Sequence, residues 1–310
     1  MTPGIAKHKS ILTKSRLLAI QSVVVYNKLV GPGITMDIFF VDDAAQKAPS
    51  RSGMGSLLGV GGIHILEESL QDLERQIEAV CTESGFPPDE IFKWSPGREL
   101  WMHQNLVVEK RQEFFIRVLG LAKDNGATAM VIIEDTSYKT ATGVESPETD
   151  LIQLFLERAH NQLAARQSNG MVIVSQPSGD RKSENKFLAG CFETLRSGTD
   201  YVKPERIVLN VLTSPPKFMR LLQLADVVTS CTIAFVGGEN SFSPPVFDAI
   251  KPMLARELGR IGGVGLKIHP DIKYVNLYHW LLGDTHFMRS MMGLPLPLPD
   301  HQYNADPYVP

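Results

Sequence analysis

Cysteine is scarce in this sequence. Its three cysteines, Cys81, Cys191 and Cys231, lie far apart along 310 residues and have no metal-ligand spacing. That excludes a thiolate metal site. Each falls in a helical or apolar run, so they read as buried free thiols in a reducing cytoplasm. Long hydrophobic runs are missing as well. No apolar stretch approaches bilayer length, which argues against a membrane-spanning helix. Neither sign of charge dominates: 31 Lys and Arg against 34 Asp and Glu give a net charge of −3. Contact with nucleic acid therefore has to come from a local patch. There is no Gly-x-x-x-x-Gly-Lys-Ser/Thr phosphate loop, no His-Glu-x-x-His and no Gly-x-Ser-x-Gly elbow. The clusters Gly59-Val60-Gly61-Gly62 and Gly262-Gly263-Val264-Gly265 lack dinucleotide-binding spacing. Histidines are few, and His64, His103, His160 and His279 sit in strand or helix context, as structural residues do. Acids are absent from residues 1–36, which carry Lys7, Lys9, Lys14, Arg16 and Lys28. Gln21 and Ser22 interrupt the apolar Leu17–Tyr26, and no small-residue cleavage site follows, so this stretch does not read as a signal peptide. It reads as a basic extension over 1–35, ahead of a domain that begins at Met36.

What is present is organised around Lys217–Val236, almost wholly apolar and free of Gly and Pro. This predicts a helix buried on nearly all sides. Gln223, Asp226 and Ser230, spaced three and four apart, form one polar stripe on it. A buried carboxylate is costly unless it is hydrogen-bonded, paired or bound to a cation, so Asp226 needs a partner. Upstream, Asp37–Asp43 and Leu57–Leu66 read as a hairpin with a long loop, and Leu66–Ser84 and Glu99–Asp124 as helices. Strands and helices then alternate. The strands are Ala129–Glu134, Met171–Val174 and Arg206–Leu212; the helices run from a Ser146 cap through Gln167 and over Glu184–Arg196, before the one carrying Asp226. Residues 246–258 read as helical. The whole predicts an α/β fold with a mixed sheet: one domain over 36–290, then an extended proline-rich tail over 291–310.

Acids at strand ends project from a rigid edge, a common setting for active-site groups. Asp42 ends the first strand, with Asp43 pointing the other way by alternation. Asp135 follows a buried strand, and Glu90 lies three before Lys93. Acidic clusters with few histidines suit hard cations such as Mg²⁺ better than zinc. Lys93 and Arg98 are candidate phosphate clamps, and Trp94 and Trp101 read as packing residues. Between Gly179 and Arg220, eight basic residues face five acids, compatible with phosphate contact and equally with solvated helix faces.

Four segments together resemble a known family. Phe39-Phe40-Val41-Asp42-Asp43, Leu58-Gly59-Val60-Gly61-Gly62, Glu90-Ile91-Phe92-Lys93-Trp94 and Leu222-Gln223-Leu224-Ala225-Asp226 look like the successive motifs of the family called domain of unknown function 3800. The family is grouped with the ribonuclease H-like superfamily, and the likeness runs from about Met36 to Asp284. The resemblance implies a ribonuclease H-like mixed sheet with helices on both faces. It also implies Asp42, Glu90 and Asp226 as ligands of Mg²⁺ or Mn²⁺ in phosphodiester cleavage, with Asp135 as a further metal candidate. Lys93, Arg98 and Gln223 then fall to substrate, and nucleic acid is the expected partner. One position departs: where such families usually carry an aspartate, at the end of the strand Met171–Val174, this chain has Ser175 and Gln176. Asp180 or Asp135 would have to substitute. Two readings stand, a metal-dependent nuclease and a catalytically silent module that binds nucleic acid or protein.

Overall fold

A computed structural model describes residues 35–141, 147–289 and 292–308. The chain divides between Thr35 and Met36. The expected basic extension and the Ser146 cap lie outside the described residues.

β1 (Met36–Gln46), β2 (Leu57–Leu66) and β3 (Thr128–Asp135) form an antiparallel meander. β4 (Asn169–Ser175) lies parallel to β1, β5 (Leu212–Ser214) parallel to β4, and β6 (Leu266–His269) parallel to β3. The six-stranded mixed sheet therefore has the order β5-β4-β1-β2-β3-β6. Alternation along β1 sends Phe40 into one core and Phe39 and Val41 into the other. The first core is closed by α1 (Glu67–Glu83), α3 (Val108–Asp124), α6 (Arg220–Val236) and α7 (Ser243–Ile250). The second is closed by α4 (Pro147–Arg166) and α5 (Arg181–Ser197). With both faces covered, the central strands read as continuous apolar runs.

α6 lies directly on β1 and β2, and the glycines of β2 make room for it. A Cβ at Gly59 would stand 2.6 Å from Ile233 Cδ1; one at Gly62 would stand 1.9 Å from the Phe40 carbonyl oxygen and 3.1 Å from Ala225 Cβ. Ala225 thus sits over Gly62. Asp226, the next residue, comes to the row of Asp42, whose register partner is Gly61. The glycine cluster is therefore a packing device, as its spacing suggested.

Several boundaries differ from expectation. The helix expected over Glu99–Asp124 is two, α2 (Trp101–Asn105) and α3, because Leu106 and Val107 are extended. Leu106 turns into the core there, while Val107 stays 60% exposed. The strand expected over Arg206–Leu212 is only an isolated bridge at Ile207, followed by β5. Leu209 adopts a left-handed φ of 63°, which a continuous strand does not allow. α7 is shorter than the stretch 246–258 suggests; Leu254 leaves it to bridge to Ala129. The C-terminal residues are not a free extended tail. β8 (Met292–Pro295) pairs with β7 (His286–Arg289), and the buried Tyr303 donates its hydroxyl to the Ser52 carbonyl at 2.5 Å. The buried Arg51 ties Val236, Phe235 and Pro307 carbonyls together. All three cysteines are free and buried, and burial pushes the Cys81 and Cys191 thiols up to about 12. Among the described residues no helix is long and apolar enough to cross a membrane.

Candidate functional site

β4 ends at Ser175, while β1 runs on past Val41, its last residue paired with that strand, opposite Val174. At this step in the sheet edge a cleft of about 270 Å³ opens. Asp42 and Asp43 of β1, Ser175, Gln176 and Ser178 after β4, and Ile91–Lys93 line it, with Pro216 and with Gln223 and Asp226 of α6.

Asp42 is 9% exposed and Asp226 5%. Asp42 Oδ1 accepts the Asp43 N–H at 2.9 Å. Asp226 Oδ2 accepts the Trp94 N–H at 2.7 Å, and its Oδ1 the Ser230 hydroxyl at 3.3 Å. The polar stripe predicted on α6 is thus real for Asp226 and Ser230. Burial, then the charges of Asp226 and Asp43, push the Asp42 carboxyl up to about 7. Burial likewise raises Asp226, against the Trp94 N–H and the charge of Lys93. Lys93 is exposed at the cleft and favours the ionised form of both acids. Two carboxylates with raised proton affinity, side by side and open to solvent on one side, form a site with a deficit of positive charge.

The wall formed by residues 90–94 is fastened from behind. Gln223 Oε1 accepts the Phe92 N–H at 3.1 Å and Arg220 Nη1 at 2.9 Å, and its Nε2 donates to the Pro216 carbonyl at 2.9 Å. Arg220 also donates to the Glu90 carbonyl at 2.7 Å and to Glu78 at 2.6 Å. Gln223, expected to contact substrate, lines the cleft and also pins two loops to α6. The Trp94 ring packs 5.5 Å from Phe115 and 5.0 Å from Phe242, which makes it a packing residue.

Other expected site residues lie elsewhere. Glu90 is outside the cleft lining, and its Oε1 accepts the Trp101 N–H at 3.1 Å, at the start of α2. Arg98 is exposed, also outside the lining. Asp135 pairs in register with Leu57 on β2, which pairs with Gln46, four residues along β1 from Asp42. There it bonds Lys273 Nζ at 2.8 Å and the Tyr274 hydroxyl at 2.5 Å. Asp180, the other proposed substitute, is the N-cap of α5 and accepts the Ser183 N–H at 2.9 Å. Gln176 donates to Glu184 Oε2 at 3.2 Å, and neither it nor Ser175 carries a charge of its own into the cleft. Asp43, assigned to the opposite face, lines the cleft as well; with β4 gone, side chains of both faces reach the open edge. Its adjacency to Asp42 was the available signal. The three-carboxylate convergence of Asp42, Glu90 and Asp226 does not form. Among the described residues, no set of three or more His, Cys, Asp or Glu side chains is arranged to hold a metal ion.

The donor set that remains fits a lone hard cation better than a pair. Mg²⁺ is commonly held by one or two carboxylates, with waters and substrate phosphate completing its octahedron. Asp42 and Asp226 supply such a pair, and the neutral Ser175 and Gln176 add no charge for a second ion. Comparison of the chain with protein-family models, with curated proteins and with solved structures finds no match.

Proposed function

We propose that the chain is a divalent-cation-dependent phosphodiester hydrolase of ribonuclease H-like architecture, a nuclease working from the cleft between β1, β4 and α6. The observation that carries this reading is the pair of buried aspartates, Asp42 and Asp226. Among the described residues their hydrogen-bond partners are only backbone N–H groups and Ser230. The β1–β2–β3 meander followed by β4 and β5 parallel to β1, with helices on both faces, supports the fold half of it. The motif resemblance supports both halves, as analogy.

Asp42 and Asp226 would hold Mg²⁺ or Mn²⁺. The chemistry that such a cation supplies when bound is polarisation of a phosphoryl oxygen and acidification of an attacking water. The chain's own side chains do the rest. Lys93, at the cleft, attracts and orients the phosphate. The Gln223 and Arg220 bonds hold the 90–94 wall still, so that Asp226 keeps its place. Without a cation, burial and the neighbouring acids push the Asp42 carboxyl up to about 7; a bound cation would hold it ionised as a ligand. Neutral Ser175 and Gln176 favour slow turnover, and they motivate the second reading, a silent module that binds nucleic acid or protein without cleaving.

Melting curves with Mn²⁺ and cleavage assays with labelled DNA and RNA test the proposal. Mn²⁺ raises the melting temperature of the wild type by mass action, about 2.7 kcal/mol of stabilisation at a hundredfold excess over Kd. Asp226→Asn removes the shift; a shift that survives puts the ion elsewhere. Cleavage is weak in Mg²⁺ and stronger in Mn²⁺, and Ser175→Asp raises it by about 10²-fold. Vigorous Mg²⁺-dependent cleavage lost in Asp42→Asn would mean that a single ion suffices. Binding without cleavage in every variant favours the silent module.

A further inference from the structure

The cleft has a rim that the proposed chemistry leaves unused. Pro216, one of its lining residues, opens a single 3-10 turn, Pro216–Phe218, held to α6 through the Gln223–Pro216 bond. Phe218 stands on that turn 70% exposed, and Lys217 Nζ lies 4.8 Å from its ring centroid. Two residues of chain separate it from the lining, at most about 7 Å. Lys93, also a lining residue, is exposed; Arg181 and Lys182, both exposed, open α5 three and four residues after the lining residue Ser178. The nearby acids on that side are engaged: Asp180 caps α5, and Glu184 accepts from Gln176 and Thr213. An aromatic face beside a string of cations is the pairing that binds unpaired nucleotides, because a base stacks on the ring while cations follow the backbone. Bases within a duplex are already stacked on each other and leave such a ring unused.

We propose that this rim binds single-stranded nucleic acid, with a base on Phe218 and the flanking phosphates on Lys217, Lys93, Arg181 and Lys182. The neighbouring phosphodiester is thereby delivered to the mouth of the cleft. The inference rests on the cleft acting on a phosphodiester and adds the strandedness of what it takes.

The test is fluorescence anisotropy of a short labelled oligodeoxythymidine, alone and annealed to its complement, in Ca²⁺ so that the strand is not consumed. The full chain binds the single strand more tightly than the duplex. Phe218→Ala weakens single-strand binding about tenfold and Phe218→Trp restores it. Lys217→Ala lowers the slope of log affinity against log salt by about one. Unchanged binding by Phe218→Ala, equal or tighter binding of the duplex, or no binding by the wild type overturns the proposal. Because Phe218 is exposed, its replacement leaves the fold intact, which circular dichroism checks. The Mn²⁺ melting shift of wild type and Phe218→Ala keeps the two ideas apart. An intact shift without a stacking effect removes the rim and leaves the cation site. Stacking with no shift removes the cation site and leaves the rim.

Discussion

Asp42 on β1 and Asp135 on β3 lie on the same face of one sheet, 9% and 0% exposed. Asp135 is saturated. Lys273, Tyr274 and the Ser137 hydroxyl bond its carboxylate, as do the Ser137 and Gly55 N–H groups. Burial alone would raise it, but those bonds outweigh burial and hold it at about 2. Asp42 has one N–H and two like charges, and burial carries it to about 7. A buried acid by itself therefore says little about function. The acid left with raised proton affinity, with only the exposed Lys93 to favour its charge, is the one that marks the candidate site.

Three substitutions break or sharpen this contrast. Asp135→Asn has the largest effect: it leaves the half-buried Lys273 ammonium without its carboxylate and costs up to about 3–5 kcal/mol, read by denaturant unfolding at pH 7. A loss under about 1 kcal/mol would mean that the pair contributes nothing beyond its neighbours. Asp42→Asn works the other way. A folded-state pKa raised to about 7 means that the native protein binds the extra proton between the ordinary carboxylate range and pH 7. Stability therefore falls as pH rises through that window, and the penalty is complete above it. The Asn variant is more stable than wild type by about 2–4 kcal/mol at pH 8, from 1.36 kcal/mol per unit, and equal to it near pH 4. A variant less stable at pH 8 would show that Asp42 is already compensated. The smallest effect is that of Glu90→Gln. It weakens one bond to the Trp101 N–H, costs about 1 kcal/mol or less, and leaves any Mn²⁺ response unchanged. Loss of that response would return Glu90 to the cation site.

The elements that hold the cleft were legible because their patterns are local. Lys217–Val236 announces a buried helix by its lack of Gly, Pro and polar breaks, and Asp226 stands out within it. Asp42 stands out as the acid that follows an apolar run, although β1 does not end there and continues to Gln46. The sorting of the remaining acids was not legible, since each is decided by a partner distant in sequence. Asp135 is claimed by Lys273, 138 residues on. Glu90 is claimed by a backbone N–H of the helix that follows it, and no side-chain pattern marks that. Gln223 has the right spacing to face a ligand, yet its amide also bonds the Phe92 N–H and the Pro216 carbonyl of two loops outside the helix pattern. β5 was misplaced because the apolar run Arg206–Leu212 hides a left-handed Leu209.

The bare backbone of β2 acts as a gauge. α6 comes down on Gly59 and Gly62 with no methyl group between, so the gap between helix and strand is set by glycine hydrogens. One jaw of that gap carries Asp226 and the other Asp42, so the same hydrogens set the spacing of the two carboxylates. A methyl at Gly62 would run into the Phe40 carbonyl at 1.9 Å and crowd Ala225 at 3.1 Å, and one at Gly59 would displace the Ile233 side chain, so either disturbs the seat of the helix that carries Asp226. The room between those two acids is thus written into a strand that carries neither of them.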